Sequence, residues 1–152
     1  MKKMLFIDAD SCSGCLSCVT TCSQANQKMS GLSTSRIHVE LAPFRGDYTP
    51  EVCLQCQKAP CAEACPVGAI RMHPKEGYWD IDYDVCIGCK QCVAACPVGV
   101  MFYDPVNEQV IKCHTCHGDP VCAKVCPTNA IVWGEAGVRE NYRKRKIVAR
   151  RT

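Results

Sequence analysis

Sixteen cysteines fall into four groups of four in this 152-residue chain. The groups are Cys12-x-x-Cys15-x-x-Cys18-x-x-x-Cys22, Cys53-x-x-Cys56-x4-Cys61-x-x-x-Cys65-Pro66, Cys86-x-x-Cys89-x-x-Cys92-x-x-x-Cys96-Pro97 and Cys113-x-x-Cys116-x5-Cys122-x-x-x-Cys126-Pro127. A cubane iron–sulfur cluster takes four thiolates. A C-x-x-C-x-x-C loop wraps three of them around one cube and sends the fourth, on a short helix, to a neighbouring cube. Sixteen thiolates suffice for four [4Fe-4S] clusters, and the chemistry they bring is the transfer of single electrons.

Other uses of a cysteine-rich chain fit less well. A secreted disulfide scaffold needs an export signal and an oxidising compartment. Met1 to Asp8 contains no apolar run of that length, Asp8 and Asp10 interrupt it, and no twin-arginine pair is present. The expectation is therefore a cytoplasmic chain with reduced thiols. Structural zinc takes two close cysteine pairs far apart, whereas three cysteines at successive x-x spacing followed by x-x-x-Cys-Pro suit a cube. Zinc or a three-iron cluster in one of the groups stays open. The formal charge of +3 suggests nucleic acid, but four oxidised cubes with their thiolates add about −2 each, leaving the loaded protein acidic. No run of interleaved aromatic and basic residues offers a stacking platform. No stretch approaches the roughly 18 apolar residues of a membrane span.

The elements that must position these cysteines are visible as a duplication. Ile7-Asp8-x-Asp10-x-Cys12-x-Gly14-Cys15-x-x-Cys18-Val19 matches Ile81-Asp82-x-Asp84-x-Cys86-x-Gly88-Cys89-x-x-Cys92-Val93. Groups two and four also match, with Cys65-Pro66-x-x-Ala69-Ile70 facing Cys126-Pro127-x-x-Ala130-Ile131. Gly14 and Gly88 sit where the backbone must pass close to sulfide and positive φ is needed. Pro66, Pro97 and Pro127 end the short helix that carries each last cysteine. Group one has Ser23 in that place, so its helix can continue through Lys28.

Hairpins are expected around Pro74-Lys75-Glu76-Gly77 and around Asp104-Pro105-Val106-Asn107, each between short apolar runs. Residues 27–52 are the least patterned stretch, with one strand expected over Arg36–Leu41. Residues 135–151 read as a terminal helix. A chain of this length forms one compact domain, but ligands and clusters would occupy much of its core, so folding is expected to depend on metal.

At these motifs the chain resembles the four-cluster iron–sulfur subunits of molybdenum and tungsten pterin oxidoreductases. The group spans the electron-transfer subunits of dimethyl sulfoxide reductases and the small polyferredoxin subunits of tungsten aldehyde oxidoreductases. The resemblance covers residues 5–133 and is strongest in Cys12-x-Gly14-Cys15-x-x-Cys18-x-x-x-Cys22-x-x-x-Asn26 and Cys86-Ile87-Gly88-Cys89. It implies an α+β fold of two pseudo-symmetric bacterial-ferredoxin-like lobes, with short β-hairpins and short helices around four [4Fe-4S] clusters. It also implies cross-pairing of the groups. One cube would take Cys53, Cys56, Cys61 and Cys96, and its neighbour Cys86, Cys89, Cys92 and Cys65. A third would take Cys12, Cys15, Cys18 and Cys126, and the fourth Cys113, Cys116, Cys122 and Cys22. The hairpin between groups two and three supports this pairing, because it makes residues 53–103 a ferredoxin by themselves. Sequential pairing of one with two and three with four remains the rival.

The implied organisation is a domain over 1–133, with lobe 53–103 inside a lobe made of 1–26 and 107–133, residues 27–52 as an insertion, and a basic helix or tail over 134–152. The implied role is a relay of single electrons between a catalytic Mo/W-pterin subunit and a further redox subunit or ferredoxin, not catalysis by the chain itself. Long insertions found in larger family members are missing, and no anchor segment follows residue 133. A soluble cytoplasmic complex of the tungsten aldehyde oxidoreductase type is therefore a candidate. A free polyferredoxin serving several enzymes is the alternative.

The remaining residues of interest have plainer readings beside functional ones. His38, His73, His114 and His117 are read as surface residues or as neighbours of the ligands, since sixteen thiolates leave no ligand position to fill. Trp79, Trp133, Tyr78 and Tyr103 are read as packing over the cubes. From Arg139 onward the tail carries seven basic residues. It is either a solvated helix or a docking arm for an acidic surface, which on a second copy would join chains head to tail.

Overall fold

The computed structural model describes residues 3–42 and 44–135. Eight strands form four two-stranded antiparallel sheets, and four α-helices carry cysteines. Three of the sheets are hairpins between cysteine loops, and the fourth pairs the first strand with the last.

The chain begins with β1 (Lys3–Ile7), which pairs with the last strand, β8 (Ile131–Glu135), setting Leu5 opposite Trp133 and Ile7 opposite Ile131. This closure brings group one against group four. Helix α1 (Ser17–Gln27) carries Cys18 and Cys22 and runs past Ser23, as the missing proline allows. Ser23 is fully buried; its hydroxyl bonds Met29 O at 2.6 Å and the Thr34 hydroxyl at 2.5 Å, tying the helix to the loop that follows.

Residues 27–52 hold two strands rather than the single one expected: β2 (Ile37–Ala42) and β3 (Asp47–Val52). The sequence hides β3 because Pro50 lies inside it, opposite Val39, and a proline in a short run speaks against a strand. A two-stranded ribbon is all edge, and it tolerates this. The two expected hairpins are present as β4 (Ile70–Met72) with β5 (Trp79–Ile81), and β6 (Phe102–Asp104) with β7 (Gln109–Ile111).

Helices α2 (Pro60–Glu63), α3 (Gln91–Ala95) and α4 (Val121–Val125) all stop before a Cys-Pro step. Strand β8 continues two residues into the stretch read as a tail. The basic remainder of that tail, including the expected terminal helix, lies outside the described residues.

Two buried clusters form the core. One contains Val19, Ile37, Val52 and Ile131 with Cys18, Cys22, Cys113 and Cys122. The other contains Ala59, Ile70, Ile81, Met101 and Val110 with Cys61 and Cys92. Val110 of β7 packs in the second cluster, so this hairpin belongs with residues 53–103 as much as with the segment after 107. Cysteines make up half the buried members of the first cluster, so its packing is incomplete without whatever the sulfurs hold.

Candidate metal centre

Matching positions in the repeated motifs share one backbone shape. Gly14 and Gly88 have φ of 69° and 67°, and the residues two positions on, Leu16 and Lys90, have φ of 59° and 61°. Gln55 and Thr115 occupy equivalent places in groups two and four with φ of 52° and 56°. After each Cys-Pro step, Gly68, Gly99 and Asn129 turn left-handed at 61°, 70° and 54°. Left-handed residues in such loops curl the chain so that its amides face inward.

Three sulfur sets line small pockets. One is lined by Cys12, Cys15, Cys18 and Cys126. A second is lined by Cys53, Cys56, Cys61 and Cys96. A third is lined by Cys65, Cys86, Cys89 and Cys92. Cys113, Cys116 and Cys122 are left with Cys22, which acts electrostatically on all three. Each quartet takes three sulfurs from one group and one from another.

Among the described residues no three His, Cys, Asp or Glu side chains converge closely enough to share a single ion. Four sulfurs facing one pocket with apolar walls of Val, Ile, Ala and Pro suit an iron–sulfur group.

The thiols feel each other across neighbouring sets. Burial, and then Cys12, Cys15 and later Cys126, push Cys18 up to about 11. Burial pushes Cys113 up to about 12, with Cys53 and Cys22 adding to it. Cys122 is raised by burial and by Cys113, Cys22, Cys116 and Cys18. Cys92 is raised by burial, with Cys61 and Cys86 adding to it. Cys61 thus acts on Cys92, Cys53 on Cys113 and Cys18 on Cys122, which links the four sets electrostatically from that of Cys89 to that of Cys15. Cys15 and Cys89 are exposed, and Cys113 and Cys122 are buried.

Several donors aim at sulfur. Ala69 N donates to Cys65 Sγ at 3.2 Å, Thr115 N to Cys113 Sγ at 3.3 Å and Asn26 Nδ2 to Cys22 Sγ at 3.5 Å. Hydrogen bonding from Ser17 lowers Cys15. Such donors stabilise thiolate and hold it in place.

The two ends differ. A Cβ at Gly14 would sit 2.7 Å from the Tyr48 ring, whereas one at Gly88 would meet nothing within 4 Å. Strand β3 thus roofs the first loop, while its repeat partner carries the exposed Ile87. The sequence contains no signal for this roof, which depends on how the β2–β3 hairpin folds back.

Of the two places expected for the histidines, His114 takes that of a neighbour to the cysteines. His114 is buried, and its Nδ1 accepts from Cys116 N at 3.0 Å. Burial holds it down near about 4. His117 Nδ1 and the Tyr78 hydroxyl are 2.7 Å apart, and His73 stacks on Tyr78. His38 stacks on Phe102 with centroids 3.7 Å apart. Trp79 lines one cavity, as expected, and donates its indole N–H to Cys56 O at 2.8 Å. Tyr103 lies instead under the ammonium of Lys90.

Sequence comparison matches a 4Fe-4S dicluster domain to residues 44–136, and a second 4Fe-4S dicluster domain to residues 11–69. Protein NrfC of Escherichia coli K12 is 33% identical over 84% of this chain and 62% of its own length. The aliphatic sulfonate oxidoreductase polyferredoxin-like subunit of Pyrococcus furiosus is 37% identical over 80% of this chain and 70% of its own. Curated relatives are matched over 62% to 73% of their lengths. In fold, the chain is similar to one in the BamBC active site complex of benzoyl coenzyme A reductase. That likeness has a TM-score of 0.52 at 23% identity, covering 87% of this chain and 75% of the other.

Proposed function

The chain belongs to the 4Fe-4S dicluster family, and on that premise we propose that it is the electron-transfer subunit of a multi-subunit oxidoreductase. A [4Fe-4S] cluster held by four thiolates would supply one-electron redox chemistry and leave no open iron for substrate. The single observation that carries the proposal is the grouping of the cysteines, three pockets each being lined by three cysteines of one group and the last cysteine of another. In this reading Cys12, Cys15, Cys18 and Cys126 hold one cluster and Cys113, Cys116, Cys122 and Cys22 the next. Cys53, Cys56, Cys61 and Cys96 hold a third, and Cys65, Cys86, Cys89 and Cys92 the last. Burial of Cys113 and Cys122 excludes water from the middle of this series, and exposure of Cys15 and Cys89 brings its ends within reach of partners. The repeated left-handed positions support two pseudo-symmetric lobes.

The catalytic partner is a Mo/W-pterin subunit, with the tungsten aldehyde oxidoreductase type favoured, and a ferredoxin or further redox subunit meets the other end. Among the described residues no helix is long and apolar enough to cross a membrane; the cytoplasm is the proposed location. The basic residues after Arg139 dock on the acidic surface of a partner or of a second copy, extending the series head to tail.

Anaerobic isolation of the native complex with iron, molybdenum and tungsten analysis tests the proposal. Tungsten or molybdenum bound to a larger chain that co-purifies supports it. Iron alone on a lone chain makes it a free polyferredoxin. Removal of residues 138–152, followed by light scattering, tests the arm; unchanged assembly and partner affinity sink that part.

A further inference from the structure

Two buried cations stand near the sets of Cys61, Cys113 and Cys116, and among the described residues neither is in an ion pair. Lys112 is 1% exposed and Arg36 8%. Lys112 Nζ donates to Cys113 O at 3.0 Å and to Trp79 O, and its side chain lines the cavity of Cys53, Cys56, Cys61 and Cys96. Its charge acts on both Cys61 and Cys113, which belong to neighbouring quartets. Arg36 acts on Cys116 and His114, and its Nε is buried without a hydrogen-bond partner. Among the described residues the ion pairs are Arg71 with Asp82 and Lys124 with Asp119, neither involving these cations. Asp80, which also acts on His114, accepts from Ile81 N through Oδ1.

The duplication shows that the fold does not require this lysine. Lys112 precedes Cys113 as Val52 precedes Cys53, and Val52 is buried at 3% exposure. An apolar residue therefore suffices at the equivalent place. A buried ammonium is costly unless an anion answers it, and the thiolate quartets are the anions at hand. Each one-electron reduction adds a negative charge to a quartet's site, and a fixed cation in a low-dielectric interior stabilises the more negative state.

Resting on the four-cluster reading, we propose that Lys112, assisted by Arg36, is a positioning residue for charge. It raises the reduction potential at the inner quartets Cys53/Cys56/Cys61/Cys96 and Cys113/Cys116/Cys122/Cys22. Electrons entering at either exposed end settle first in the middle, so the series works as a reservoir as well as a conductor.

Potentiometric titration of the anaerobic holo-protein, followed by electron paramagnetic resonance, tests this. In Lys112→Met the reduced-to-oxidised ratio of at least one inner signal, read at the parent's midpoint, is expected to fall about tenfold or more. That fold-change is about 59 mV for one electron. The outer signals should move less, and Lys112→Arg should restore the parent value. A fully loaded Lys112→Met protein with unmoved potentials, or with all four moved alike, overturns the proposal while leaving the four-cluster reading intact. A parent that binds far fewer than about sixteen irons overturns both. If Lys112→Met does not load, the parent background decides. The first signal to appear on reduction should change shape in Cys56→Ser or in Cys116→Ser and stay unchanged in Cys15→Ser and Cys89→Ser. A first signal that follows Cys15 or Cys89 overturns the proposal.

Discussion

Gln55 Nε2 donates to Cys113 O at 2.7 Å across 58 residues of sequence, and its Oε1 accepts from Trp79 N at 2.8 Å. One half-turned glutamine therefore joins the loop of group two, the loop of group four and the hairpin between groups two and three. Cys113 O also accepts from Lys112, whose Nζ donates on to Trp79 O, so Gln55, Cys113, Lys112 and Trp79 form a closed polar network between the sets of Cys53 and Cys113.

Gln55→Leu removes both bonds and leaves Trp79 N without its partner in a part-buried place. A loss of about 1–3 kcal/mol is expected. Thermal unfolding of the loaded protein should show a lower Tm with faster iron release. An unchanged Tm would mean that the network contributes nothing to the junction.

The two repeated glycines should differ on substitution. Gly14→Ala and Gly88→Ala each place a Cβ in the left-handed region, at a cost of about 1–2 kcal/mol. Gly14→Ala alone also drives Cβ into the Tyr48 ring. Iron content and the signal of the Cys15 end should suffer more than those of the Cys89 end under the matching change. Adding Tyr48→Ala to Gly14→Ala should recover part of the loss; no recovery would remove the ring as the cause.

Removing iron should cost the tertiary fold. In the unfolded apo-protein the thiols keep their ordinary value of 9.0 and are neutral at pH 7. Loading must then displace their protons, and reconstitution should improve as pH rises from 6 to about 8. The sign reverses for any apo fold that persists. Thiols raised above their unfolded value of 9.0 stabilise the folded chain below that pH, and the stability is lost as pH climbs through 9 toward the folded values. Near-UV dichroism of chelated protein checks both statements; retained native dichroism without iron contradicts the first.

His38 provides a separate acid dependence. Burial against Phe102 lowers it from 6.5, outweighing the favourable Ser35 carbonyl and Glu51. The unfolded chain thus takes the proton first as pH falls through 6.5, and the hairpin loses stability below that point. His38→Phe should flatten the dependence of the unfolding midpoint between pH 7 and 5. A parallel slope in the variant would exclude this ring as its source.

Much of the site was legible in the sequence because its determinants are local. The x-x spacing sets three sulfurs on one loop, Gly14 and Gly88 supply the needed turn, and a Cys-Pro step stops each short helix where Ser23 lets α1 run on. Turn residues likewise placed the two hairpins. Strand β3 escaped notice because Pro50 argues against it, and only pairing with β2 makes it a strand.

What the sequence by itself determined was the count and type of donors, the loops that carry them and the one-electron chemistry they serve, since these depend on residues a few positions apart. Only the tertiary structure decided which group's last cysteine reaches which pocket, the roof of Tyr48 over the Gly14 loop, and the junction of Gln55, Trp79 and Lys112. Those depend on distances between segments tens of residues apart. The electrostatic value of a charge such as Lys112 follows from its burial and its neighbours, which are not properties of the residue itself.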